Sequence, residues 1–297
     1  LEGVLPIEKL SDELSALAEH LLEEVLRLAW LSLSKKHCDT PRFAVIAYGK
    51  LGGKELGYAS DLDIVFLYDD PDQSAPVTYA RLAQRINSWL TTLTPAGALY
   101  ETDLRLRPDG AAGLLVSSLT AFEEYQNQKA WVWEHQALTR ARFAAGDAAI
   151  GADFERIRHG IICMPREAST LRLEVSAMRQ KMRDAHLNQS SLFDLKHDAG
   201  GIVDVEFLVQ YLVLAHASDH PGLADNIGNL ALLARAADYG LVHKDAAEAT
   251  RMAYREFRIL QHRERMQGKH QARVDPAQIA QHVKSVKTLW DVLLGGR

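Results

Sequence analysis

Tyr48-Gly-Lys-Leu-Gly-Gly-Lys-Glu-Leu-Gly-Tyr-Ala-Ser-Asp-Leu-Asp-Ile-Val-Phe-Leu-Tyr68 joins a glycine-rich turn to two carboxylates one residue apart. Ile64-Val-Phe-Leu67 is β-branched and aromatic, the composition of a strand. Alternation along that strand puts Asp61 and Asp63 on one face and Leu62, Ile64 and Phe66 on the other. Two carboxylates held that close repel, and one pKa rises unless a cation lies between them. Oxygen donors beside a phosphate-binding turn suit Mg²⁺, a hard ion. Asp-x-Asp in isolation is commonly a solvated strand end, but its neighbourhood here changes the reading. Phe43-Ala-Val-Ile-Ala-Tyr48 reads as a buried strand, and both Gly49-Lys50 and Gly52-Gly53 after it let backbone N–H groups approach a polyphosphate. Ser60 adds a hydroxyl donor next to the acids.

A second segment supplies a third acid. In Leu99-Tyr-Glu-Thr-Asp-Leu-Arg-Leu-Arg-Pro108, alternation predicts a strand with Glu101, Asp103, Arg105 and Arg107 on one face and Tyr100, Thr102, Leu104 and Leu106 on the other. Asp103 then completes a carboxylate trio, and Arg105 and Arg107 can hold phosphate oxygens through their planar forks. The competing reading is an exposed edge whose charges pair along the surface.

Composition narrows the class without naming it. A chain of 297 residues suits two domains, each with its own core. With 34 basic and 39 acidic residues the formal charge is −5, which argues against nonspecific nucleic-acid binding. Cys38 and Cys163 make no disulfide framework, and no apolar run reaches the roughly 18 residues of a membrane helix. A cytoplasmic location is expected. The chain opens on Leu with no signal segment and reads as a piece of something longer.

Three parts are predicted along the chain: a leading helix over 1–36, a catalytic α/β unit over 37–160 and a helical bundle over 161–297. The first helix is expected over Leu10–Leu33 with Ser11 as its N-cap, and another over Tyr79–Leu93 with Leu82, Ile86 and Leu90 on one stripe. After Pro165 a helix with Leu171, Val175, Met178 and Met182 inside carries Arg172, Arg179, Lys181 and Arg183 on a face expected to be solvated, the alternative being contact with ATP or an acidic protein partner. Gly200-Gly-Ile-Val-Asp-Val-Glu-Phe207 holds another acid pair, Asp204 and Glu206. A helix would point these two apart and a short extended start would align them, with a structural or domain-packing role ahead; only a family resemblance makes either a secondary functional candidate. Trp131, Trp133 and His135 are expected to pack in a core or between domains.

A small-residue turn, Asp-x-Asp on a strand and a later acidic strand together resemble the DNA polymerase β-type nucleotidyltransferase superfamily. Within it, Gly49-Lys-Leu-Gly-Gly-Lys-Glu-Leu-Gly-Tyr-Ala-Ser-Asp-Leu-Asp63 is similar to the glutamine synthetase adenylyltransferases, bifunctional enzymes whose two halves add and remove AMP. Glu55-Leu-Gly-Tyr-Ala-Ser60, Arg105-Leu-Arg-Pro-Asp-Gly-Ala-Ala-Gly113 and Trp131-Val-Trp-Glu-His-Gln-Ala-Leu-Thr-Arg-Ala-Arg142 look like the adenylylating half. The resemblance implies an α+β polymerase β-like domain followed by a helical bundle. It implies ATP as substrate, two Mg²⁺ on Asp61, Asp63 and Asp103, and phosphate contacts from Gly49, Lys50, Gly52, Gly53, Ser60, Arg105 and Arg107. The acceptor it implies is a tyrosine of glutamine synthetase, with a PII signalling protein as regulatory partner. The alternatives are the adenylyl-removing half, transfer to a small hydroxylated acceptor, and a non-catalytic module that senses nucleotide or PII.

Overall fold

The structure is a computed structural model, and it describes residues 5–269 and 271–295. The chain divides into two compact units, Leu1–Ile161 and Ile162–Arg297.

The first unit runs α1 (Ile7–Leu31), β1 (Phe43–Ala47), α2 (Gly49–Gly52), β2 (Leu62–Tyr68), α3 (Ala75–Thr91), β3 (Thr102–Asp103), β4 (Val116–Ser118), α4 (Leu119–Gln128), α5 (Val132–Leu138), β5 (Arg142–Gly146) and α6 (Ala148–Ile162). Its sheet is mixed. β1 pairs antiparallel with β2 and β5, while β3 and β4 both pair parallel with the far edge of β2, at its start and its end. All five residues of β1 are buried, as befits a strand covered on both faces. Phe43, Val45, Ala47, Leu62, Ile64 and Phe66 share a core with Leu22, Leu26 and Trp30 of α1 and with Tyr79, Leu82, Ile86 and Leu90 of α3. Asp63, Val65 and Leu67 alternate to the opposite face, so the strand that anchors the core also presents an acid.

Helix α1 starts at Ile7, and Ser11, expected as its cap, lies buried within it. Ile7 is itself buried, so the apolar stripe extends a turn before Leu10 and carries the helix with it. The segment 99–108 also departs from expectation. Only Thr102 and Asp103 form ladder hydrogen bonds, and the chain turns from Leu104 onward. Side-chain to backbone bonds supply the cause. Asp103 accepts from the Arg105 N–H at 2.9 Å, and Arg107 donates to the carbonyls of Leu104, Ala111 and Gly113, closing the strand into a loop.

The second unit contains α7 (Ala168–Ala185), β6 (Phe193–Asp194), α8 (Ile202–His216), α9 (Asn229–Asp238), α10 (Lys244–Met266), β7 (Arg273–Val274) and α11 (Pro276–Leu293). Helix α8 is buried over nearly its whole circumference and is the bundle's central element, with α7, α9, α10 and α11 packed on it. The short β6–β7 ladder ties the approach to α8 to the approach to α11. Asp204 lies on α8 and is buried; it accepts from Arg179 Nε at 2.5 Å and from the Gly200 N–H at 2.6 Å, with Arg183 at 3.3 Å. Arg179 is thus not on a solvated face: it is 1% exposed, drawn inward by a carboxylate 25 residues further on. Glu206 points elsewhere, with the Tyr254 hydroxyl 3.5 Å away. Among the described residues no helix is long and apolar enough to cross a membrane.

Candidate active site

Three chain segments converge at the start of β2. The parallel β2–β3 ladder pairs Leu62 with Thr102 and Asp63 with Asp103, so two acids sit side by side on adjacent strands. Asp61 immediately precedes β2 and is exposed; Asp63 and Asp103 are half-buried. Burial pushes the Asp63 carboxyl up to about 6, and the charges of Asp61 and Asp103 push the same way against Lys50 and Arg140. Asp103 is held below the ordinary carboxylate range, chiefly by the Arg105 guanidinium, which grips both its oxygens at 2.5–3.0 Å and outweighs burial. The Arg105 side chain is itself 78% exposed.

A cleft of about 500 Å³ opens beside the acids, lined by Asp61, Glu101, Asp103 and Arg105 and, from α3, by Asn87 and Thr91. Glu101 is exposed on its rim, and its carbonyl accepts the Leu62 N–H at 2.9 Å. Thr102 donates its hydroxyl to Asn87 Oδ1 at 2.5 Å, fixing the α3 wall to β3.

The glycine turn packs against this group. Gly49 has a left-handed φ of 53°, and a Cβ there would stand 2.1 Å from Asp63 Oδ2. Only a residue without a side chain lets the backbone lie on that carboxylate. Gly52 and Gly53 face the other way: added Cβ atoms would meet the Arg140 carbonyl at 2.0 Å and the Arg140 Nε at 2.8 Å. Arg140 forms a buried ion pair with Glu55 at 2.7 Å. The carbonyls of Leu51 and Gly52 accept from Arg142 at 2.9 and 3.0 Å, satisfying the C-terminal end of α2. Lys50 is half-buried. Ser60 Oγ accepts the Gly57 N–H at 3.1 Å and keeps its own proton for donation.

The structure therefore gathers Asp61, Asp63, Asp103, Gly49 and Arg105 and sets Gly52 and Gly53 against Arg140. It commits the Arg107 guanidinium to loop carbonyls. Asn87 and the Glu55–Arg140 pair are additions that sequence reasoning missed. Both lie inside segments already quoted, yet nothing in their spacing announces the contact. Trp131 is 69% exposed at the start of α5, and Trp133 is exposed as well, because a helix spreads these positions. His135 is buried against the Gln126 carbonyl at 3.0 Å.

Residues 1–157 match the family model "Glutamate-ammonia ligase adenylyltransferase", and residues 172–289 match "GlnD PII-uridylyltransferase". A protein of Aromatoleum aromaticum named bifunctional glutamine synthetase adenylyltransferase/adenylyl-removing enzyme is 58% identical over 295 residues, covering 99% of this chain and 31% of that protein. Proteins of the same name from Bordetella bronchiseptica and Burkholderia mallei are 56% and 52% identical, each covering 99% of this chain and 31% and 32% of their own lengths. The chain thus spans about a third of the length of these relatives. It belongs to the glutamate–ammonia ligase adenylyltransferase family.

Proposed function

We propose that this chain transfers AMP from ATP to a tyrosine hydroxyl of glutamine synthetase, releasing pyrophosphate, and that it is the adenylylating half of a bifunctional protein like its relatives. The observation that carries this reading is the register pair Asp63–Asp103, with Asp63 packed on Gly49 and close enough to Asp61 and Asp103 to feel both charges, beside a cleft that Asp61 and Asp103 line. The relatives' name supports glutamine synthetase as the acceptor, and the match of 172–289 supports a PII protein as regulatory partner. In this organisation 1–36 leads in, 37–160 carries the chemistry and 161–297 is a helical domain.

The donor set fits a hard divalent cation. Its ligating atoms are carboxylate oxygens, and an Asp63 carboxyl raised to about 6 is what a neighbouring cation would relieve. Asp61, Asp63 and Asp103 would hold Mg²⁺, two ions in our reading, which when bound neutralises the triphosphate and acidifies the acceptor hydroxyl. The chain's own groups do the positioning. Arg105 exchanges Asp103 for phosphate oxygens, which its exposure permits, while Lys50, the Gly49 backbone and the Ser60 hydroxyl orient the β- and γ-phosphates. Arg107 holds the 104–113 loop that carries Arg105. Asp103 accepts the tyrosine proton, leaving the phenolate in line with the α-phosphorus.

The test is incubation with unmodified glutamine synthetase and α-labelled or γ-labelled ATP, with and without Mg²⁺. Label should enter the acceptor from the α position only and only with Mg²⁺. Asp61→Asn and Asp63→Asn should each lower the rate by ~10²-fold or more with the fold intact. If the chain instead strips AMP from modified glutamine synthetase when given phosphate, and never adds it, it is the removing half. A chain that does neither yet binds nucleotide or PII would be the regulatory module.

A further inference from the structure

β1 and β2 run antiparallel with Phe43 opposite Tyr68 and Ala47 opposite Ile64. The carboxylate trio lies at one end of this pair. At the other end, the linker that follows α1 meets the residues that follow β2, and His37, Cys38 and Asp70 each offer a ligand atom within 4.8 Å of the others. His37 Nε2 is 2.8 Å from Asp70 Oδ2, and Tyr79 of α3 donates its hydroxyl to the same oxygen at 2.7 Å. Cys38 Sγ lies 3.9 Å from that hydroxyl and 3.2 Å from the Thr40 carbonyl. The imidazole is walled by Trp30 and Tyr79, with ring centroids at 6.2 and 5.2 Å. Its side chain is only 8% exposed, and its Nδ1 is buried with no hydrogen-bond partner.

We propose that His37, Cys38 and Asp70 form a binding site for a thiophilic divalent metal, Zn²⁺ foremost, separate from the carboxylate trio. The donor set decides the class, because a thiolate with an imidazole selects Zn²⁺ over Mg²⁺ or Ca²⁺. The five residues of β1, at about 3.3 Å each, keep the two sites roughly 15–20 Å apart, so the metals do not compete. The separations fit as well. Tetrahedral Zn²⁺ with nitrogen and oxygen ligands at about 2.0 Å sets those atoms roughly 3.3 Å from each other, half an ångström from the spacing of His37 and Asp70. Cys38 Sγ needs a side-chain rotation and loss of its proton to solvent, the thiolate then bonding the metal. The Tyr79 hydroxyl and water remain for the outer contacts. Once filled, the site would fasten the linker between α1 and β1 to the end of β2.

The experiment uses the tag-free chain with Cys163→Ser and titrates Co²⁺, then Zn²⁺. One equivalent of Co²⁺ should give a sulfur-to-cobalt charge-transfer band that Zn²⁺ abolishes and a large excess of Mg²⁺ leaves in place. Cys38→Ser should lose the band, and His37→Gln should weaken binding by roughly tenfold or more. At a hundredfold excess over Kd, Zn²⁺ should raise Tm by roughly 5 °C or more. A band that survives Cys38→Ser, one that Mg²⁺ displaces, or the absence of any band in the parent chain overturns the proposal. Should Cys38→Ser fail to fold, the His37→Gln affinity decides alone.

Discussion

Replacing Gly49 with alanine tests whether the glycine turn and the Asp63 carboxylate work as one unit. Two costs can be worked from the structure. The left-handed backbone at φ 53° costs a residue with a Cβ about 1–2 kcal/mol. The second cost is steric, since the new Cβ would stand 2.1 Å from Asp63 Oδ2 and 2.8 Å from its Cγ, where ordinary contact begins at 3.4 Å. The carboxylate must therefore retreat by about 1.3 Å, and a misplacement of ~1 Å in a reacting constellation costs on the order of 10²-fold. The expected outcome is a ~10²-fold slower transfer at saturating ATP with a stability loss of only about 1–2 kcal/mol. Single-turnover transfer from α-labelled ATP gives the first quantity, and urea unfolding gives the second. Gly240→Ala is the control: its φ is 75° and an added Cβ meets nothing within 4 Å, so it shares the strain without the collision. Transfer by Gly49→Ala within about threefold of the parent, or an equal loss in Gly240→Ala, would refute the reasoning.

Four further outcomes follow from three other groups. Without divalent cation, Asp63→Asn should be more stable than the parent at neutral pH: a folded-state pKa of about 6 against 3.8 means the parent loses stability as pH rises through that window, by up to about 3 kcal/mol, and Mg²⁺ should close the gap in urea melts. For the same reason Mg²⁺ affinity, read by calorimetry, should fall as pH drops through about 6 and a proton competes for the carboxyl. Arg179→Met should destabilise the second unit by about 3 kcal/mol, because it takes from the buried Asp204 its closest guanidinium and leaves only the Gly200 N–H and the longer contact with Arg183, while adding Asp204→Leu should recover part of the loss in urea unfolding. Arg105→Gln should raise KM for ATP by about tenfold without weakening Mg²⁺ binding, since the hydrogen bonds it removes hold Asp103 in the absence of nucleotide; an unchanged KM would place phosphate recognition elsewhere.

The face taken by Asp63 was legible because a strand's period of two is short and local. Leu62, Ile64 and Phe66 had to go inward, which left one face for Asp63. The stripe of α3 was legible for the same reason, with Leu82, Ile86 and Leu90 all buried. What failed were inferences that needed a distant partner. Alternation from Leu99 to Pro108 runs on past Asp103, yet Arg107 finds three carbonyls up to Gly113 and folds the segment back. Arg179 sits on a cationic helix face until Asp204 arrives from another helix. Arg140 belongs to an Arg- and Trp-rich run whose pattern gives no hint that it reaches Glu55, 85 residues earlier. Periodicity reports which face is apolar; it carries no information about which charge will meet a given guanidinium.

The parallel pairing of β2 with β3 also bears on when the site comes into being. Antiparallel neighbours can be joined by a tight turn, but parallel ones need a crossover, and here α3 lies in that crossover between Asp63 and Asp103. Loop-closure entropy must be met before the third carboxylate can dock, which makes Asp63–Asp103 a non-local contact. A chain with only β1 and β2 paired would hold Asp63 at the start of β2, next to Asp61, and still lack the trio. If the trio serves the AMP transfer proposed above, ATP would be consumed only once that pairing is complete.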